Sequence, residues 1–164
     1  MPVCMHLNKD KIAIVDEEDF EFLSHFRWHA KKPSNSNCWY AYSYQKTRPK
    51  TISMHREILK HHGILKDKTS VDHIDGNGLN NQKSNLRLAT ASQQISNRGM
   101  HKNNKCGFKG VSTHGNKFRA TICFNKHWIY LGAFETAIEA ANAYDKKAFE
   151  LFGEFAKLNF TKEK

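Results

Sequence analysis

Between Ser70 and Gly99 the order of elements is dictated almost residue by residue. Ser70 to Ile74 alternates apolar and polar, the pattern of a strand with one buried face. Gly76-Asn77-Gly78 comes next, and glycine at that density supplies φ values that other residues avoid, so no regular element continues through it. The polar loop runs to Ser84. Asn85 then precedes a second alternating run, Leu86 to Ala89. Thr90-Ala91-Ser92-Gln93 matches the S/T-x-x-E/Q capping box, which predicts a helix beginning just after Thr90 and ending near Gly99. The stretch therefore reads strand, long loop, strand, short helix.

Beyond Gly99 the pattern changes. Gly99 to Gly107 is polar, basic and bounded by glycine, as a linker is. Val111–Thr113, Phe118–Phe124 and Trp128–Leu131 read as three strands joined by turns at Gly115-Asn116 and Asn125-Lys126, an antiparallel meander. A second capping box, Thr136-Ala137-Ile138-Glu139, opens a helix that Gly153 ends. It places Ala137, Ala140, Ala141, Tyr144, Ala148, Leu151 and Phe152 on one stripe. Phe118, Ala120, Ile122, Ile129 and Leu131 supply the sheet's half of that core. Alternation then sends Arg119, Thr121, Cys123, Trp128 and Tyr130 to the opposite face, which one helix cannot cover.

Upstream, Lys11–Val15 reads as a strand, with Asp16 able to cap the helical turns that carry Phe20, Leu23 and Phe26. Arg27–Ala30 and Cys38–Tyr44 read as strands around a polar turn, and Thr51–Met54 as another. Trp39, Tyr40, Tyr42 and Tyr44 can stack on bases. The preferred reading divides them between a small sheet core and solvent. A helix over Arg56–His62 ends at Gly63, and Lys66-Asp67-Lys68 forms a charged turn.

The formal charge is +10, from 26 basic and 16 acidic residues. Charge alone needs no partner, but its distribution is uneven. From His101 to Phe134 the chain carries Lys102, Lys105, Lys109, Lys117, Arg119 and Lys126 and no acid, interleaved with Phe108, Phe118, Trp128 and Tyr130. Such a block suits nucleic acid. The four cysteines are scattered with no C-x-x-C pair, which argues against a cysteine zinc knuckle and for reduced thiols. No run approaches the ~20 apolar residues that span a bilayer, and no signal peptide is evident. A soluble cytoplasmic protein is expected. Nothing reports on assembly, and a monomer is the default.

Asp72-His73 is the chemical focus. Phosphodiester cleavage needs an activated water, stabilisation of charge on the phosphate and help for the leaving oxygen. A histidine neutral near pH 7 can take the proton from water, and a divalent metal can supply the rest. A carboxylate plus amide oxygens suits Mg²⁺, or Mn²⁺, which borrows further oxygens from water and substrate. On a regular strand these neighbours face opposite ways; at a strand end or bend both can approach one phosphate.

Asp72-His73, the loop Gly76, Asn77, Leu79, Asn80, Asn81, then Asn85-Leu86-Arg87 and Asn97-Arg98 together resemble the HNH family of endonucleases, nearest in character to phage and intron-encoded homing enzymes. Met54-His55-Arg56-Glu57 also resembles that group. The resemblance implies a ββα-metal motif with His73 as general base, Asp72 as metal ligand and Asn85 fixing the loop that orients the histidine. It leaves the last ligand between Asn97 and Gln94, where the family often has Asn or His. Arg98 is either a phosphate contact or a solvated helix-end residue, and His55 a structural residue or phosphate contact.

The second half, in Phe108-Lys109-Gly110-Val111, Phe118-Arg119-Ala120-Thr121-Ile122, Tyr130–Phe134, Thr136, Glu139-Ala140-Ala141, Ala143-Tyr144-Asp145 and Leu158-Asn159-Phe160, resembles the plant ethylene-response-factor (APETALA family) DNA-binding domain. That resemblance implies a three-stranded antiparallel sheet packed on one helix, its sheet entering the major groove. Lys109, Thr121, Cys123, Trp128 and Tyr130 stand where that family contacts DNA. Ser112, Thr121 and Cys123 replace side chains usually charged there, so its GC-rich target does not transfer.

The fold expected is thus α+β: an N-terminal ββα-metal nuclease domain at residues 1–99, a linker at 100–106 and an ethylene-response-factor-like domain at 107–160. The expected function is a metal-dependent endonuclease acting on double-stranded DNA in a bacterial or phage-infected cell, of nicking or homing type. Contacts to DNA are expected from Lys109, Arg119, Thr121, Cys123, Lys126, Trp128, Tyr130 and Arg98. A DNA-binding regulator with a decayed nuclease is the alternative, and an RNA-binding protein the weaker third.

Overall fold

The computed structural model describes residues 1–34, 36, 38–45, 50–65, 69–100 and 103–160. The turn expected at Lys66-Asp67-Lys68 lies outside the described residues. So do Asn35 and Asn37 of the turn expected after Lys31, and His101 and Lys102 of the expected linker. The chain is mixed α+β and forms two compact units, Met1–Ala89 and Thr90–Lys164.

In the first unit β1 (Pro2–His6) and β2 (Ile12–Asp16) form an antiparallel hairpin, followed by α1 (Glu17–Ser24). Strand β1 is not evident from the sequence, where its apolar residues form no long run. β3 (His29–Lys31), β4 (Tyr40–Gln45) and β5 (Lys50–Ser53) make a three-stranded antiparallel sheet in that order. Then come α2 (Met54–His61) and the hairpin of β6 (Ser70–His73) with β7 (Leu86–Ala89). Leu23, Met54 and Ile58 are fully buried in one core with Val15, Ala41, Ile52, Val71, Leu79 and Leu86. Burying each large aliphatic side chain contributes roughly 1.5–3 kcal/mol, which makes this core the main support of the loop between β6 and β7. Gly63 (φ 68°) ends α2 as expected: its N–H and that of Ile64 return to the carbonyls of Lys60 and Leu59.

Asp16 corrects one expectation. It occupies the N-cap position of α1, but its carboxylate makes no cap bond there. It accepts instead from the Lys83 N–H at 2.8 Å and from Gln82 Nε2 at 3.3 Å. Those donors lie in the β6–β7 loop, so the carboxylate ties that loop to the start of α1 and does not cap the helix.

The second unit begins with α3 (Ala91–Asn97), whose capping box is complete: Thr90 Oγ1 accepts from the Gln93 N–H and the Gln93 side chain from the Thr90 N–H. β8 (Val111–His114), β9 (Lys117–Phe124) and β10 (His127–Phe134) form a three-stranded antiparallel meander packed on α4 (Ala137–Phe152). Thr136 and Glu139 complete the second capping box. A bulge between Tyr130 and Gly132 shifts the β9–β10 register, so Phe134 pairs with Phe118 and both turn to the core. At Gly110 (φ 77°) an added Cβ would lie 2.0 Å from the Tyr144 ring, so only glycine permits that approach of sheet and helix.

Candidate functional site

The β6–β7 loop is a net of asparagines drawn around one aspartate. Asp75 accepts from the Asn77 N–H (2.7 Å), Asn80 Nδ2 (2.8 Å) and Asn85 Nδ2 (3.0 Å). Asn85, buried, also donates to the Asn80 carbonyl (2.8 Å) and accepts from the Asp75 N–H (3.0 Å). Burial pushes the Asp75 carboxyl up, yet the bonds from Asn77, Asn80 and Asn85 outweigh it and hold the group below its ordinary value. Strand β2 clamps the outer end of the loop: Ile14 N–H donates to Leu79 O and Asn81 N–H to Ile14 O.

His73 is the last residue of β6 and is buried. Its Nε2 lies 3.3 Å from Oδ1 of the fully buried Asn81, to which it donates. Its ring stands edge-on to His55 at 5.1 Å between centroids and tilted to Tyr40 at 5.9 Å. Burial lowers the His73 pKa below the ordinary imidazole value, against the opposing pull of the Asn81 bond and the Asp75 and Asp72 carboxylates. The ring is therefore neutral at pH 7. Burial, with His73 and Arg56 nearby, pushes His55 down to about 3.

Asp72 and His73 sit together in the regular strand, and their side chains meet different surroundings. Asp72 pairs across the hairpin with Arg87, whose Nε and Nη2 lie 3.1 and 3.0 Å from Oδ2. Beside the guanidinium, Asp72 presents hard carboxylate oxygens. On α3, in the second unit, Gln94 is half-buried, Asn97 buried and Arg98 exposed at the C-cap. Among the described residues no three His, Cys, Asp or Glu side chains cluster as a metal cage. One carboxylate with side-chain amides still fits, in kind, a cation that keeps most of its water, such as Mg²⁺.

Sequence reasoning gave no role at this site to three residues that shape it: Asp75, Asn81 and Tyr40. The two side chains from the loop lie within the asparagine-rich motif, but only the fold reveals which of its polar groups point inward. Tyr40 lies in β4, far away in sequence. Its ring rests on Gly78, where an added Cβ would come 2.5 Å from Tyr40 Cδ1 and from the Trp39 carbonyl.

In the second unit Trp128 and Tyr130 are 73% and 62% exposed, while Ala120 and Ile122 on the alternate positions are buried. Arg119 and Lys126 are exposed, and Thr121 and Cys123 half-exposed. Lys109 is placed differently: half-buried, its ammonium donates to the Ser96 carbonyl at the end of α3. Its main chain is bracketed by Asn159, which accepts from Lys109 N–H (2.6 Å) and donates to Lys109 O (3.1 Å). Asp145 holds Asn159 in turn, accepting its main-chain N–H at 2.8 Å and Nδ2 at 2.9 Å.

Along the chain a histidine at a strand end, an asparagine-stitched loop and a second strand are followed by a capped helix. A family profile described as HNH endonuclease matches residues 54–94, from the start of α2 to Gln94. The chain is also 34% identical over 153 residues, 92% of its length and 76% of the relative's, to an uncharacterized HNH endonuclease of Acanthamoeba polyphaga mimivirus. This chain belongs to the HNH endonuclease family, a family of hydrolases. Among the described residues no helix is long and apolar enough to cross a membrane, and the four cysteines are free.

Proposed function

We propose that the protein is a metal-dependent DNA endonuclease of nicking or homing type, with His73 as general base. The observation that carries this is the state of His73: buried, neutral at pH 7 and fixed by Asn81 beside Tyr40 and His55. A neutral, oriented imidazole can take a proton from water attacking phosphorus. Asn85 stitches the loop and so holds the histidine's surroundings in register. Asp72, with Asn97 or Gln94, would hold Mg²⁺ or Mn²⁺. Such an ion stabilises charge on the phosphate and the leaving oxygen. Arg98, exposed, would meet a phosphate.

The same proposal takes residues 107–160 as an ethylene-response-factor-like reader of double-stranded DNA, linked through residues 100–106 to a nuclease domain at 1–99. Its support is the outward face of β9 and β10, with Arg119, Thr121, Cys123, Trp128 and Tyr130, and Lys126 in the adjoining turn. Lys109 belongs to this unit as a brace, its ammonium engaged with Ser96. Linking a reader to a cutter with few specific contacts raises selectivity through effective concentration.

Two observations favour a second reading, a DNA-binding regulator with a weakened nuclease. Arg87 engages Asp72 Oδ2, where a metal would compete with it, and Gln94 departs from the residues the family often has. Supercoiled plasmid incubated with the full-length protein and Mg²⁺, with EDTA and His73→Ala as controls, separates the two. Nicked circles lost in both controls support the endonuclease. Plasmid shifted in mobility but intact supports the regulator.

A further inference from the structure

The three-stranded sheet of the first unit has one face in the core and one outside. Ala30, Ala41, Ser43 and Ile52 are buried. The intervening residues pair across the strands as His29 with Tyr42, Lys31 with Tyr40, and Tyr44 with Thr51, and cross-strand partners project from the same face. That outer face therefore carries a tyrosine row, Tyr40, Tyr42 and Tyr44, flanked by His29 and Lys31. On this face His29, Lys31 and Thr51 are exposed, Tyr44 is 59% exposed, and Tyr40 and Tyr42 are half-buried.

The row leads to the candidate base. Tyr42 and Tyr40 stand 6.3 Å apart by ring centroid, and Tyr40 stands 5.9 Å from His73. Successive tyrosines on one face of a strand are spaced by about 6.7 Å, so the row offers a series of ring faces and edges starting beside His73. Its charge is one-sided too. From His29 to Ser53 the sequence has Lys31, Lys32, Lys46, Arg48 and Lys50 and no Asp or Glu. A face with the exposed Lys31 and His29 at its margin and aromatic rings along its middle matches a nucleic-acid strand, whose phosphates are anionic and whose bases present flat π-faces.

We propose that this face is a second DNA-binding site, which carries the strand being cut up to His73. Tyr44 and Tyr42 contact bases or sugars next to the scissile phosphate, and Lys31 meets a phosphate. The site is separate from the sheet of the second unit, and its position beside the reaction rests on the assignment of His73 as general base.

The test uses full-length protein carrying His73→Ala, so that DNA stays intact, and a fluorescent oligonucleotide offered as duplex and as single strand. Affinity is read by anisotropy over a range of salt. Tyr44→Ala should weaken binding roughly 5- to 100-fold, while Tyr44→Phe, which keeps the ring, should stay near the parent. Lys31→Ala should lower the slope of log K against log salt by about one. A strand substituted with iodouracil should photocrosslink to Tyr42 or Tyr44. A larger loss on single strand than on duplex would mean that unpaired bases stack there; equal losses would mean contact with sugars and groove edges. The proposal is overturned if Tyr44→Ala and Lys31→Ala bind as the parent does and crosslinks map only to β8–β10. Plasmid nicking by the unmodified protein stands or falls independently of that result.

Discussion

The Lys109 ammonium donates to the main-chain carbonyl of Ser96, and the Lys157 N–H donates to the same oxygen at 3.2 Å. Ser92 Oγ donates to Asn125 Oδ1 in the β9–β10 turn at 3.1 Å. Helix α3, which ends the strand-loop-strand-helix order read from the sequence, is thus bonded at both ends to the rest of the second unit, which bears the basic sheet.

Burial, reinforced by Lys157 and opposed by Asp145, pushes the Lys109 pKa down to about 8. The unfolded chain then binds more protons than the folded one between about pH 8 and the ordinary lysine value, so stability rises with pH there. Tyr144, 5.8 Å away, works in the opposite sense above pH 10, because burial and Asp145 raise its pKa. Urea unfolding compared near pH 8 and near pH 10 should show an increase of up to about 2 kcal/mol that Lys109→Met abolishes. An unchanged increase in that variant would place the titration elsewhere.

Gly78→Ala should be costly although the backbone there is ordinary. The new Cβ would lie 2.5 Å from the Tyr40 ring and from the Trp39 carbonyl, and the carbonyl belongs to main chain that cannot swing aside. Overpacking of this kind costs about 1–3 kcal/mol. The urea midpoint should fall, and plasmid nicking should fall more steeply because Tyr40 borders His73. A wild-type midpoint would show that the loop and Tyr40 do not touch in solution.

Much of the scaffold was legible because it is written locally. Both capping boxes formed as read, and β7 runs over the expected residues Leu86–Ala89. The alternation along β9 assigned Ala120 and Ile122 to the core and Arg119 to the outside. Bonds between residues distant in sequence were not legible. Asp16 serving Lys83, Tyr40 resting on Gly78 and Lys109 turning inward to Ser96 each depend on how separate elements pack. Position in a motif placed Asp72 and His73 side by side, but only the hairpin register reveals Arg87 across from the aspartate.

Asp19 on α1 is fully buried, and His62 Nε2 lies 2.6 Å from its Oδ1. Removing the partner of a buried polar group leaves it unsatisfied, which costs about 1–3 kcal/mol. His62→Ala should therefore destabilise the protein by about 2 kcal/mol, and adding Asp19→Ala should recover part of the loss by removing the unsatisfied group. Thermal unfolding of the two single variants and the double variant measures this. Strict additivity would mean that the pair is not coupled.

Arg119→Ala and Trp128→Ala, both on the outward face of β9 and β10, test the reader. Each should weaken binding to duplex DNA, and only Arg119→Ala should lower the salt slope, by about one. Neither should shift the unfolding midpoint by more than about 0.5 kcal/mol, because both side chains are exposed. A protein lacking residues 107–164 that binds duplex as tightly as the full chain would remove the reading role from this sheet.

Asn85 separates positioning from chemistry. Its side chain makes the bonds to Asp75 and Asn80 that close the loop, and none of these bonds reaches His73. Asn85→Ala should leave DNA affinity within a few-fold and lower the rate of nicking by about 100-fold, the scale expected when a reacting group is displaced by about an ångström. The loss should also be visible without any substrate. The depressed Asp75 carboxyl contributes stability above its ordinary pKa, and that stability is lost as pH falls through the depressed value. With Asn85 gone, one of the bonds holding the carboxyl down is missing. The stability that remains should begin to fail at a higher pH, moving the midpoint of acid unfolding upward. If nicking falls while the acid midpoint stays in place, Asn85 acts on the substrate directly and not through the loop.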